Sequence, residues 1–312
     1  MNNLEQFKIF TAIPANSMPN EYNGNVFHYT SSSGFRSILF GDRLDTSLWA
    51  SRYDCLNDTS EGKVAEEILK EVSLELFEKK VIEKELYDLY CSIKPSRTLL
   101  LFLDIEGDLK STRTECSRYI CSFSKNDDSL SMWNYYSKGN RYEGFNIGFN
   151  TNALKSTLTN YFTGIKANFH IYPVIYEKAE QKDLVEKLLL SLKDFYSEEN
   201  IPRIRAIIST QLNSWGLLFK KDYFKHEEEV RIIVDVSKYD WEHRVRYREN
   251  YGYIIPYIEL KFEKEDVSCV NFGPLLGREQ QISTQLDIMN EMLKVNGYAN
   301  IQTGYSKIPI RY

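Results

Sequence analysis

NVFHYTSSSGFRSILFGDRLDTSLWAS, residues 25–51, carries three structural signals in succession. Val26 to Thr30 are aromatic and β-branched apart from His28, the pattern of a short strand. Ser31, Ser32 or Ser33 can cap a helix that carries Phe35, Ile38 and Leu39 on one side, and Gly41 can stop it. RLDTSLWAS then reads as a second strand. A strand, a helix and a strand at the start of the fold point to an α+β protein.

Outward from this stretch, residues 1–25 end in Asn, Pro and Gly and read as a loosely attached N-terminal lead-in, and 26–312 as one α+β domain. Helical spacing of Val64, Ile68, Val72, Leu76 and Leu86 fills a segment long enough for two helices. Asn57 or Asp58 can cap it, with Glu61 completing a capping-box-like arrangement. Helical insertions are expected at about 58–115 and 180–220, the second broken near Pro202. YICSFS, YEGFNIGFN, FHIYPVIYE, VRIIVDV, YIIPYIEL and VSCVNFGP read as strands. DSLSMWNYYSKGN between two of them reads as a short helix after Ser129, and REQQISTQLDIMNEMLKVNG as an amphipathic terminal helix stopped by Gly297. The expected architecture is a central mixed, split β-sheet with helical insertions.

Composition narrows the class. With 42% hydrophobic and 14% aromatic residues in a chain of 312, disorder is excluded and a large core is available. The net charge of −5 gives no global drive toward a polyanion, so any nucleic-acid contact needs a local basic patch. Cys55, Cys91, Cys116, Cys121 and Cys269 are scattered without a CxxC pair and read as reduced core thiols. Neither a secretory signal nor a run of about twenty apolar residues occurs, so a cytoplasmic protein with no membrane span is expected. His28, His170, His226 and His243 fall in no metal spacing, and HExxH, GxGxxG, GxSxG and phosphate-loop motifs are lacking, so no metal site is expected.

Three groups of residues have chemical potential. His28 and Thr30 alternate on one strand and can present hydrogen-bonding groups to a ribose or phosphate, although a strand histidine is more often a satisfied core group. Glu227 and Glu229 would share one side of a strand with Arg231, where like charge raises a carboxyl pKa and an ion pair relieves it; a solvated acidic strand entrance explains them equally well. Arg244, Arg246 and Arg248 interleave with Trp241 and Tyr247, a composition suited to phosphate contacts with base stacking, or to an exposed loop balanced by Glu242 and Glu249. Trp133, Tyr135 and Tyr136 are expected to pack their helix.

The ordered set FHYTSSSGFRSIL, LWASRYDCLNDTSEG, YICSFSKNDDSLSMWNYYSKGNRYEGFNIGFN, YPVIY, FKHEEEVRIIV and VNFGP resembles the bacterial family catalogued as domain of unknown function 2971, over about residues 26–295. A histidine on the first strand, an aromatic or hydroxyl on the next and an E-x-E near a late strand also look like the dispersed triad of ADP-ribosyltransferases. That second resemblance implies an NAD-dependent transferase with NAD as substrate and an ADP-ribosyltransferase-like fold. In it His28 holds the ribose, with Thr30 beside it. Trp49, Ser51 or Tyr53 flanks the nicotinamide, and Glu229, seconded by Glu227, supports the oxocarbenium-like transition state. A protein or nucleic-acid acceptor, a toxic role in phage defence or a toxin-antitoxin pair, and an inhibitory partner would follow. The competing expectation is a non-enzymatic module that binds nucleic acid or protein through Arg244, Arg246 and Arg248.

Overall fold

The computed structural model describes residues 16–41, 46–56, 62–95, 99–105, 108–114, 116–136, 142–163, 167–237, 244–250, 252–274, 279–298 and 301–309. The opening follows the sequence: β1 (Asn25–Thr30), α1 (Ser32–Phe40) and β2 (Ser47–Arg52). Ser31 is the cap, its Oγ accepting from the Gly34 amide. Gly34 has no room for a side chain, because a Cβ there would lie 2.0 Å from Thr30 Oγ1.

The expected long helical segment is α2 (Lys63–Glu78) and α3 (Lys84–Ser92). Its anticipated caps Asn57 and Asp58, with Glu61, lie outside the described residues, as do Trp241, Glu242 and His243. The insertion expected at about 58–115 is helical only to Ser92; beyond it β3 (Leu99–Ile105) and β4 (Asp108–Thr114) form a separate two-stranded hairpin. Then follow β5 (Cys116–Ser124), α4 (Leu130–Tyr136), β6 (Phe145–Asn150), α5 (Thr151–Phe162) and β7 (Ala167–Pro173). The second insertion is α6 (Lys178–Lys193) and α7 (Ile201–Trp215), with Pro202 in the first turn of α7, where its missing N–H leaves no gap. β8 (Glu229–Ser237), β9 (Arg246–Asn250), β10 (Tyr253–Lys261), β11 (Val267–Phe272), α8 (Ile282–Val295) and β12 (Gln302–Tyr305) complete the chain.

The described strands other than β3 and β4 form one mixed ten-stranded sheet with a fork in it. One edge of β5 pairs along its whole length with β8, which pairs in turn with β7. The other edge meets two strands: β1 through Phe27 and Ser124, and β2 through Ser51 and Ile120 and through Arg52 and Tyr119. From these contacts one arm runs β1, β6, β11, β12, with β11 and β12 parallel, and the other runs β2, β10, β9. Cys121 to Phe123 lie at the point of divergence, and the His28 ring bonds Ser122 O there at 3.1 Å. α1 connects the two arms.

Helices cover both faces. One core joins Val26, Cys121, Phe123, Val230, Ile232 and Ile258 to α1, α5 and α8. On the other face Ile120 and Ile233 pack beneath α2, α3, α6 and α7. Tyr29 and Phe27 meet α4 on a third, small core through Met132 and Trp133, with the Tyr29 and Trp133 rings 4.7 Å apart. Trp133 is therefore packing, as expected, whereas Tyr135 and Tyr136 of the same helix are exposed. Residues 16–24 are tied down rather than loose. Trp215 donates to Ser17 O at 2.9 Å, and the Tyr22 amide to Ile171 O at 2.8 Å. No described helix is long and apolar enough to cross a membrane.

Candidate functional site

The expected acidic centre is real but closed. Glu227 is not on the strand: it ends a 3-10 turn (Asp222–Glu227), and β8 begins at Glu229. Glu228 between them adopts the left-handed conformation (φ 45°), uncommon for a residue with a Cβ, and this reversal aims both neighbours at one cation. Lys220 Nζ lies 2.8 Å from an oxygen of Glu227 and 2.8 Å from Glu229 Oε2. Arg231 grips Glu229 with Nε at 2.8 Å and Nη2 at 3.0 Å, and spends Nη1 on Leu217 O.

Burial alone would push the Glu229 carboxyl up. The Arg231 and Lys220 charges outweigh it and hold the group down at about 2. Both Glu229 oxygens are occupied, and the side chain is buried. The expectation that neighbouring carboxylates raise its pKa is corrected: two cations win over burial.

His28 and Glu229 border a common cavity with Ser122, Tyr136 and Glu227, but its volume is about 20 Å³, room for a single water. The register explains why they do not converge on a ligand. Phe27, Ser124 and Glu229 are directly paired and so face one side of the sheet, which turns His28, next in the chain, to the other. Its Nδ1–H donates to Ser122 O, leaving Nε2 as the acceptor, and burial lowers its pKa, so the ring is neutral. Thr30 packs against Gly34, and Tyr53 packs half-buried against the helical core. Cys121 is an inert buried thiol, pushed up to about 12 by desolvation.

The open space lies elsewhere, in a cleft of about 840 Å³ between α1 and the β2–β10–β9 arm. Ser33, Arg36, Ser37 and Phe40 recur at helical spacing on the α1 wall. Ser47 and Trp49 of β2, Glu259 and Lys261 of β10 and Arg246 of β9 form the strand wall. Trp49 pairs with Glu259, Ser51 with Tyr257, and Tyr257 with Arg246, so these side chains share one face. The Trp49 indole is 44% exposed, lies 4.4 Å from the Tyr257 ring in a stacked arrangement, and has the Arg248 guanidinium 5.9 Å from its centre. Arg248 Nη2 donates to Ser51 Oγ at 3.0 Å. Ser51 thus braces Trp49 through Arg248.

Residues 132–232 match the family model described as protein of unknown function (DUF2971). Over that segment the chain resembles DUF2971. Neither the curated proteins nor the solved structures compared with the chain contain a match. The DUF2971 segment spans α4 to the start of β8 and holds Glu227, Glu229 and Arg231, while the cleft is built from residues on either side of it.

Sequence reasoning singled out Trp49 and Arg246 and missed Arg36, Glu259 and Lys261. Their signal was present. Tyr257, Glu259 and Lys261 alternate with the buried Ile258 and Leu260, and Arg36 stands on the polar side of a helix whose apolar side is Phe35 and Leu39. What hid them was that the β9 and β10 residues of the cleft lie about two hundred positions from α1 and β2.

Proposed function

We propose that the cleft binds NAD and that the protein is an NAD-cleaving enzyme that transfers the ADP-ribosyl group to an acceptor. The observation that carries this reading is the joint presence, in one cleft of ligand-site size, of a braced indole, three cations and a carboxylate. Trp49 offers a stacking surface for an aromatic base. Arg36, Arg246 and Lys261 outnumber Glu259 and suit a pyrophosphate, and Arg36 has no polar partner among the described residues.

Glu259, directly across from Trp49, is the carboxylate with access to a ligand. Arg246 stands 3.9 Å away and Lys261 3.5 Å, looser contacts than those on Glu229. As the glycosidic bond to nicotinamide loosens, positive charge develops on the ribose, and a carboxylate fixed beside it stabilises that charge. Glu259 therefore takes the role the sequence suggested for Glu229. His28 supports the fork that places β2. In a cell such an activity would make the chain a toxic effector held in check by an inhibitory partner.

The test is calorimetric titration of the purified protein with NAD, alongside nicotinamide release in the presence of a cell lysate. Glu259→Gln is expected to keep NAD binding within about threefold and to lower release by at least about a hundredfold, the scale of losing one preorganised electrostatic group. Absence of NAD binding to the parent protein would overturn the reading.

A further inference from the structure

Beyond the cleft, the same face of the sheet continues outward to β9, which pairs only with β10 among the described strands and so forms the edge of the sheet. The pairing of Tyr257 with Arg246 and Ile255 with Arg248 sets both arginines on the Trp49 face, and Arg244 lies in the turn that leads into the strand. Alternate residues on a strand are about 7 Å apart, so Arg246 and Arg248 stand one such step apart beside the cleft. Arg244 and Arg246 are exposed, whereas Arg248 leans inward to brace Trp49. At the far end of the same face Tyr253 is 74% exposed. Arg246 belongs both to this edge and to the cleft wall.

We propose that the edge of the β9–β10 hairpin is a binding track for single-stranded nucleic acid, with Arg244 and Arg246 on successive phosphates and Tyr253 stacking on a base. Three points favour this occupant over a protein. Arg246 and Arg248 alternate along the strand and Arg244 stands in the turn that leads into it, a run of cations suited to a phosphodiester chain. Exposed aromatic rings stand at that rim, and ring stacking with backbone charge is how single strands are held without base readout. The track is also continuous with the cleft, where Trp49 offers a second base platform and Arg36 and Lys261 further positive charge. The chain as a whole is acidic, so such a surface attracts a polyanion locally and not through net charge.

The track does not depend on the NAD reading, since Arg244 and Tyr253 lie outside the cleft lining. The experiment measures fluorescence anisotropy of labelled DNA and RNA single strands of about a dozen nucleotides, and of the corresponding duplex, between about 50 and 200 mM salt. Both single strands, or one of them, are expected to bind more tightly than duplex. The Arg244→Gln/Arg246→Gln pair is expected to weaken binding at least tenfold and to flatten the salt slope by about 1.4, two phosphate contacts at roughly 0.7 each. Tyr253→Ala is expected to weaken binding about tenfold while leaving NAD titration and nicotinamide release unchanged. Failure of both single strands to bind at the lowest salt, tighter binding of duplex, or affinities and slopes unchanged by these variants would overturn the track. NAD binding without single-strand binding would sink this proposal alone.

Discussion

Glu229→Ala protein is expected to unfold roughly 5–8 °C below the parent, from a loss of about 3–5 kcal/mol. The carboxylate is buried and satisfies Arg231 through two hydrogen bonds and Lys220 through a third contact. Removing it takes from the buried Arg231 and Lys220 the carboxylate that both contact, and loss of one partner of a buried ion pair is among the few mechanisms that produce a loss of this size. Calorimetry on the parent and the variant checks the figure.

The same group sets an acid limb. A carboxyl whose folded pKa sits near 2, below its usual 4.5, stabilises the fold fully above 4.5, and that contribution is lost as pH falls from there toward about 2. The melting temperature of the parent should therefore fall over that window, and the Glu229→Ala protein should show a shallower fall. A variant that melts with the parent and loses only nicotinamide release would return Glu229 to the catalytic role suggested by the sequence.

Glu229 shows where a sequence stops being legible. The strand-helix-strand opening, the paired helices of the first insertion and the β8 run can be read from the residues because each is a local pattern: a cap, a period or a β-branched stretch. The place where the sheet splits has no such local pattern. The physical cause of the split is that β1 and β2 share one edge of β5, and pairing partners 67 to 97 residues away leave no local mark.

The acidic cluster is visible as three adjacent glutamates, but its meaning turns on Lys220 and on the left-handed turn at Glu228, neither of which strand alternation anticipates. The hairpin at 99–114 sits in a stretch that the preceding helical period invites one to continue. Trp49 is legible as a site residue; the carboxylate opposite it is not, because β2 and β10 meet only after more than two hundred intervening residues.

Trp49→Ala should raise the dissociation constant for NAD by about tenfold to a hundredfold, the range expected when one ring stops stacking on a base, while the melting temperature stays within about 2 °C. Fold and binding separate here because the indole is 44% exposed and β2 is held by its pairing with β5 and β10 and by the buried Leu48 and Ala50. Trp49→Phe, which keeps a ring on Tyr257, should recover most of the affinity.

Arg248→Met offers the complementary test of positioning. It removes the guanidinium over the indole and the bond to Ser51 Oγ without touching the cleft wall. It should therefore weaken NAD binding less than Trp49→Ala does and leave Trp49 more mobile, read as lower tryptophan fluorescence anisotropy. If Trp49→Ala binds NAD as the parent does, the cleft is not a nucleotide site. The residues left to explain any NAD chemistry would then be His28 and Glu227, around a cavity that admits only water in this arrangement. Catalysis there would require α4 to move off the fork, so the unchanged affinity of one variant would convert a question about a pocket into one about a helix.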